Sequence, residues 1–116
     1  MRLALFSYHG NPVRAGAHDG EPWFVGGDIA SILGYKDCRA AVNKYVEPEE
    51  RVPMMFHCEE HDHDHRIDLI SFYGVHTLLI NAEGANFEEV ARFKIWLADV
   101  AAVIRYGGFD HDEGDG

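Results

Sequence analysis

The fold is decided by residues 20–50, which read GEPWFVGGDIASILGYKDCRAAVNKYVEPEE. An Asp-Gly pair at positions 19–20 is typical of a tight hairpin turn, and the apolar run Trp23–Val25 predicts the second strand of that hairpin. Further upstream, residues 2–8 predict an edge strand. Residues 10–22 are rich in glycine, proline, asparagine and aspartate, so they are predicted to be mainly turns.

Two short helices are predicted after this hairpin. The first has apolar residues at helical spacing, a candidate N-terminal cap in Asp28 and a terminating glycine in Gly34. The second is predicted over residues 38–46, and Pro48 limits its extension. Its inward-facing residues are Ala41, Val42, Tyr45 and Val46. A helix, a glycine-containing turn and a second helix form a helix-turn-helix-like pair, a pattern that many small helical hairpins share.

The second half of the chain predicts two further strands and two further helices. Residues 51–56 and 66–70 are predicted as the two strands of a hairpin. Ser71 is a candidate cap for a helix over residues 72–81, and a last helix is predicted over residues 87–106. We therefore predict an α+β fold of short strands and β-hairpins packed with about four helices, including the helix-turn-helix-like pair and a long C-terminal helix.

The chain is acidic, but its acidic residues are unevenly placed. It has 116 residues, 47% of them hydrophobic, and a net charge of −10. Residues 57–68 and residues 110–116 each carry a net charge of −4, which leaves only −2 for the rest of the chain. We predict one domain over residues 1–109 and an acidic, disordered tail over residues 110–116. Because the body is nearly neutral, it can still present a basic face.

The sequence does not predict export or membrane insertion. The longest run without a charged residue, residues 69–82, contains several polar side chains, and the N-terminus is a poor match to a signal peptide. Cys38 and Cys58 are therefore expected to be reduced thiols. We expect a cytoplasmic protein, located in the host cytoplasm if a phage encodes it, with no membrane partner.

Residues 57–68, which read HCEEHDHDHRID, are the most unusual segment of the sequence. At the tip of a hairpin, alternate residues share a face, so His61, His63 and His65 are candidate ligands for zinc or nickel. The alternative is a solvated polar loop, because no Cys-x-x-Cys or His-Glu-x-x-His motif supplies further ligands. We favour the polar loop, and we expect no metal site and no cofactor.

Sequence patterns of known catalytic sites are missing. The chain has no Gly-x-Ser-x-Gly motif and no glycine-rich phosphate loop, and no pair of carboxylates stands out as acid and base. Asp28 is better explained as a helix cap than as a catalyst. We expect a protein that is not an enzyme, and a metal-dependent enzyme at the histidine-rich loop is the minor alternative.

Residues 20–50 resemble the first half of the Bro-N domain, which is found at the N-terminus of prophage antirepressors and baculovirus Bro proteins. The family pattern G-x-P-W-F-V-x-x-D-(V/I)-x-x-x-L-G-Y is filled here by Gly20, Pro22, Trp23, Phe24, Val25, Asp28, Ile29, Leu33, Gly34 and Tyr35. The second half is similar to the family pattern A-x-x-F-(K/R)-x-W: Phe93, Lys94 and Trp96 fill its last places, and Ala91 stands one position closer to the phenylalanine than the pattern has it. The resemblance runs from about residue 3 to residue 109.

The resemblance implies a phage or prophage regulator of transcription whose Bro-N module binds double-stranded DNA. The helix pair has a locally positive face formed by Lys36, Arg39, Asn43 and Lys44. Arg39 and Asn43 are i, i+4 neighbours suited to base edges, and the two lysines are suited to phosphates. The alternative is a solvated amphipathic helix. The resemblance is also compatible with a homodimer.

Departures from the family pattern favour a second interpretation. The hairpin segment and the tail are acidic here, and an acidic surface suits a basic partner. An acidic copy of the domain would then act by sequestering a host or phage regulatory protein, as an antirepressor by protein contact or as a mimic of DNA phosphates. The candidate residues for this protein contact are Glu59, Glu60, Asp62 and Asp64.

Overall fold

The fold is a five-stranded antiparallel sheet packed against four α-helices. The computed structural model describes residues 2–58, 63–82 and 86–106. The strands are β1 (Ala4–Tyr8), β2 (Asn11–His18), β3 (Glu21–Val25), β4 (Arg51–Cys58) and β5 (His63–Ser71). The helices are α1 (Gly26–Ile32), α2 (Cys38–Tyr45), α3 (Phe72–Ile80) and α4 (Phe87–Tyr106), and a 3-10 turn covers Pro48–Glu50. The predicted α+β class and the long C-terminal helix are confirmed.

The strands follow the order β1-β2-β3-β5-β4, and every neighbouring pair is antiparallel. β3 pairs with β5 only opposite residues 69–71, whereas β4 pairs with β5 along its whole length. The outer part of the β4–β5 hairpin therefore continues beyond the end of β3 as a two-stranded ribbon. Residues 59–62, between these strands, lie outside the described residues.

The core lies on one face of the sheet. The side chains of Val13, Ala15 and Ala17 on β2 alternate toward this face, and Phe24 and Ile70 join them from the neighbouring strands. The helices cover these strands with their own buried residues, including Ile29, Ala30, Ala41, Val42, Val75, Leu78, Phe93, Leu97, Val100 and Ile104. The alternation with a period of two thus sets which face of the sheet the helices cover.

The prediction that residues 10–22 are mainly turns is wrong. Most of this segment is β2, an eight-residue strand between β1 and β3. Small apolar residues alternate along it, but the surrounding glycine and proline residues conceal that pattern in the sequence. The turns are confined to its two ends, where the residue pairs at 9–10 and 19–20 have positive φ. These values are typical of tight two-residue hairpin turns, and the predicted Asp-Gly hairpin is confirmed.

Asp28 is not the cap of α1, contrary to prediction. The helix begins two residues earlier, and its N-cap, Val25, makes no side-chain capping bond. The Asp28 carboxylate instead accepts three hydrogen bonds of 2.9 Å from Arg14, donated by the backbone N, Nε and Nη2. The hydrogen bond to Asp28 is the main cause of a raised pKa for the Arg14 guanidinium. The pair ties β2 to the first turn of α1.

Local signals at the other helix ends are mostly as predicted. Gly34 follows α1 with a φ of 89°, a conformation that favours glycine. The Ser71 hydroxyl caps α3 by accepting a 3.0 Å hydrogen bond from the backbone N of Gly74. Asp37, which the sequence reasoning did not single out, caps α2 in the same way through Ala40.

We expect the replacement of Asp28 by asparagine to destabilise the domain by about 2 kcal/mol. The side chain of Asp28 is 12% exposed, and the change removes both the charge and one acceptor from a network of charged hydrogen bonds. Asp19→Asn is the matched control, because the Asp19 side chain is 89% exposed and asparagine tolerates its positive φ. Urea-induced unfolding measures the free energy of unfolding of both variants. Equal stabilities would contradict this role of Asp28.

The adjacent glycines at positions 26 and 27 predict opposite effects of alanine. A Cβ on Gly26 would lie 2.9 Å from Cγ2 of Val42 and 3.2 Å from Cγ2 of Ile70, whereas a Cβ on Gly27 meets nothing within 4 Å. Gly26→Ala should therefore cost about 1–3 kcal/mol by overpacking. Gly27→Ala should be neutral or should stabilise the helix by up to about 1 kcal/mol. Chemical denaturation measures the free energy of unfolding of both variants. A Gly26→Ala variant as stable as the unaltered domain would contradict the close packing of α1 at this position.

Candidate nucleic-acid interface

α2 turns its polar side toward solvent. Ala41 and Val42 are buried in the core, at 6% and 2% exposure. The four predicted DNA contacts are all exposed, one in the turn before the helix and three on the helix itself: Lys36, Arg39, Asn43 and Lys44. The structure thus places these residues together on and beside the outer side of one short helix.

Arg39 connects this surface to the β4–β5 hairpin. Its Nη2 donates a long, 3.5 Å hydrogen bond to the backbone carbonyl of Arg66 on β5. The side chain of Arg66 is itself 54% exposed, and its Nη2 lies 3.4 Å from a carboxylate oxygen of Asp68. Arg66 therefore adds a cation to the surface, although Asp68 balances part of its charge. Sequence reasoning missed Arg66 because its position beside α2 depends on the packing of distant segments.

Arg51 restrains Asn43. The Nη1 of Arg51 donates a 3.0 Å hydrogen bond to Oδ1 of Asn43, and its Nε donates a 3.2 Å bond to the carbonyl of Val46. Bidentate contact between asparagine and adenine uses both the oxygen and the nitrogen of the side-chain amide. Asn43 can make that contact only if Arg51 is displaced from Oδ1. Arg51 is a second functional candidate that sequence reasoning missed.

Lys44 lies against an aromatic pair at the end of α2. Its Nζ is 5.2 Å from the centroid of the Tyr45 ring, within the range of a cation–π contact. The Tyr45 ring packs in turn against Tyr35 at 5.9 Å, and the Tyr35 hydroxyl donates a 2.8 Å hydrogen bond to the carbonyl of Leu78. These contacts join the C-terminal end of α2 to α3.

Cys38 begins α2 beneath the same surface. Burial is the main cause of a raised pKa for its thiol, and the carboxylates of Asp37 and Asp28 add to the effect. A helix N-terminus usually has the opposite influence on a cysteine. The raised pKa favours the protonated thiol over the more nucleophilic thiolate. The adjoining depression between α2 and β5 has a volume of 220 Å³, less than that of typical small-molecule sites.

The acidic and histidine-rich segment is only partly described. Glu59, Glu60, His61 and Asp62 lie outside the described residues, as does the tail over residues 110–116. Asp64 and His65 are exposed on β5, and His63 begins that strand. Within residues 2–58, 63–82 and 86–106, no group of three or more metal-ligating side chains is placed to hold an ion. The metal and protein-contact hypotheses for this segment stay predictions.

The part of the chain that matches a known family includes all the residues of the surface described above. A family model described as the BRO family, N-terminal domain, matches residues 12–103. The chain belongs to the Bro-N family. The match extends from β2 almost to the end of α4, so α2 and the β4–β5 hairpin are both parts of the Bro-N domain. The family resemblance predicted from the sequence is confirmed.

A viral protein shows local similarity to this Bro-N domain. The putative Bro-N domain-containing protein 289L of Invertebrate iridescent virus 6 is 42% identical over 33 residues. The aligned segment is 28% of this chain and 8% of the viral protein. No solved structure matches the chain. In the part of the chain that the structure describes, no helix is long and apolar enough to cross a membrane.

Proposed function

We propose that this Bro-N domain binds double-stranded DNA through α2 and the adjoining residues of β5 around Arg66, and acts without catalysis in viral or phage transcription control. The observation that carries the proposal is the exposed surface formed by α2 and Arg66. It gathers several cations in a chain whose net charge is −10. Family membership supports the regulator class, and this surface supports DNA as its partner.

Local charge matters more for phosphate contact than the total charge. The Debye length is about 8 Å at physiological ionic strength, so acidic groups far from the surface are largely screened. Two carboxylates near α2 are already engaged: Asp37 accepts the capping hydrogen bond of Ala40, and Asp68 faces Arg66. Lys36, Arg39 and Lys44 are then the exposed cations of the helix pair that can meet phosphates.

The dimensions of the surface fit a DNA major groove. An α-helix with its side chains is about 10–12 Å across, and the major groove is about 12 Å wide and admits a helix or a two-stranded ribbon. The eight residues of α2 form about two turns that could lie in it. α2 is the element suited to the groove, because the ribbon of the β4–β5 hairpin carries the acidic residues and contributes only Arg66 as a cation beside α2. In this arrangement Arg39 would approach base edges, and Lys36 and Lys44 would contact the backbone on either side.

The proposal of a protein partner for the acidic segment has less structural support. Of its four candidate residues, Asp64 is the one within the described residues, and it is exposed on β5. The same strand carries Arg66, so the ribbon does not present a uniformly acidic face. DNA contact is therefore the function that the described geometry supports best.

We expect weak, salt-sensitive binding to duplex DNA, and we expect the Arg39→Glu/Lys44→Glu variant to lose at least about tenfold in affinity. The loss of the phosphate contact of Lys44 should also lower the slope of log affinity against log salt by about 1. The matched control is Arg92→Glu/Lys94→Glu, which changes the net charge equally at exposed residues of α4. Fluorescence anisotropy with a labelled duplex measures all three proteins. An equal loss in the control variant, or no binding by the unaltered domain at low salt, would refute the proposal.

A further inference from the structure

A second surface lies at the end of the sheet near the turn between β2 and β3. An open groove of 710 Å³ lies between this turn, the beginning of α3 and the last turn of α4. His18, Glu21 and Trp23 reach it from the sheet face opposite the buried core residues, because they alternate with Ala17, Pro22 and Phe24 along the strands. The groove is therefore separate from the proposed DNA surface on α2.

The groove has an excess of negative charge. On one side, Nη2 of Arg105 lies 3.1 Å from Oε1 of Glu21, so these two charges largely balance each other. Asp19 and Glu50 also line the groove and have no cation among its lining residues to balance them. His18 adds a contact of 3.5 Å to Asp19 but carries charge only when it is protonated. The groove is thus suited to a cationic group and unsuited to phosphate.

Glu50 is held in position within this groove. The hydroxyl of Ser71 donates a hydrogen bond to Oε1 of Glu50 while its oxygen accepts the capping bond from Gly74. Glu50 is also the last residue of the 3-10 turn that leads directly into β4. The turn fixes the backbone of Glu50 and the Ser71 hydroxyl restrains its carboxylate, which reduces the conformational entropy that would be lost when a ligand binds.

Two aromatic rings accompany the carboxylates. Trp23 is half-buried and packs edge-on against the His18 ring, with the centroids 6.4 Å apart. Tyr73, on the first turn of α3, is 63% exposed although it is a large aromatic residue. A planar guanidinium stacks on aromatic faces and donates paired hydrogen bonds to a carboxylate, whereas a lysine ammonium lacks that planar geometry.

We propose that this groove binds an arginine side chain from a basic segment of a partner protein. The guanidinium lies against Trp23 or Tyr73 and donates to the carboxylate of Glu50, and Asp19 adds long-range attraction. The domain then has two surfaces of opposite preference, a cationic one on α2 for duplex DNA and an anionic one at the end of the sheet for a basic partner.

The test uses the full chain, labelled with ¹⁵N, and a short acetylated and amidated peptide that contains arginine and glycine. A peptide of the same length with citrulline in place of arginine is the matched probe, because citrulline keeps the shape and loses the charge. We expect the arginine peptide to shift the indole N–H signal of Trp23 and the amide signal of Tyr73 saturably. The citrulline peptide should leave them in place.

Variants test the role of the carboxylate. Glu50→Gln should lower the affinity for the arginine peptide at least fivefold. The glutamine retains a side-chain oxygen that can accept the hydrogen bond from Ser71. Glu49→Gln is its matched control, because it removes the same charge from an exposed neighbouring residue, and it should stay within twofold of the unaltered domain. The Arg39→Glu/Lys44→Glu variant should also keep peptide binding, which separates this proposal from DNA binding.

Three results would overturn the proposal. Equal binding of the citrulline peptide would show that charge is not recognised, and equal loss in the Glu49→Gln control would show that Glu50 is not the contact. A response of Trp23 and Tyr73 to a thymidine dinucleotide, without a response to the arginine peptide, would assign the groove to a nucleobase instead.

Discussion

The carboxylate of Asp28 holds together two parts of the chain that are 14 positions apart, and the placement of the helix pair depends on it. Its three hydrogen bonds from Arg14 fix the first turn of α1 against β2, so the helix cannot rotate freely on the sheet. Because Gly26 has no Cβ, α1 packs closely against Ile70 on β5 and against Val42 on α2. This contact holds α2 beside α1 on the face of the sheet that the helices cover. The outward direction of Arg39 follows from these contacts, because α2 has one buried side and one exposed side.

Local signals in the sequence predict much of this fold, and tertiary contacts explain the errors. The Asp-Gly turn, Gly34 and Ser71 act through neighbouring residues, so their effects are visible in the sequence alone. The sequence does not predict β2, because turn-forming residues conceal its short alternation of small apolar residues. That alternation becomes a strand only where β1 and β3 pair with it on both sides. The local sequence predicts a helix cap at Asp28, because its partner in the fold, Arg14, is distant in the sequence.

The candidate DNA-binding surface likewise contains residues that the sequence predicts and residues that only the fold reveals. The exposure of Arg39 and Lys44 follows from the helical periodicity of α2 and was predicted. Arg66 and Arg51 reach the same surface from the β4–β5 hairpin, so only the folded chain reveals them. The groove around Trp23 was also invisible in the sequence, because its walls come from four separated segments.

The most direct test of the account is to map the DNA contact on the unaltered domain. The amide signals of the ¹⁵N-labelled chain would be followed while a short duplex is added at low ionic strength. If α2 and the hairpin form the interface, signals of residues 36–44 and 64–68 should shift most, and they should return toward their starting positions as salt is added. Shifts confined to the groove around Trp23 and Tyr73, or no shifts at all, would contradict the central claim.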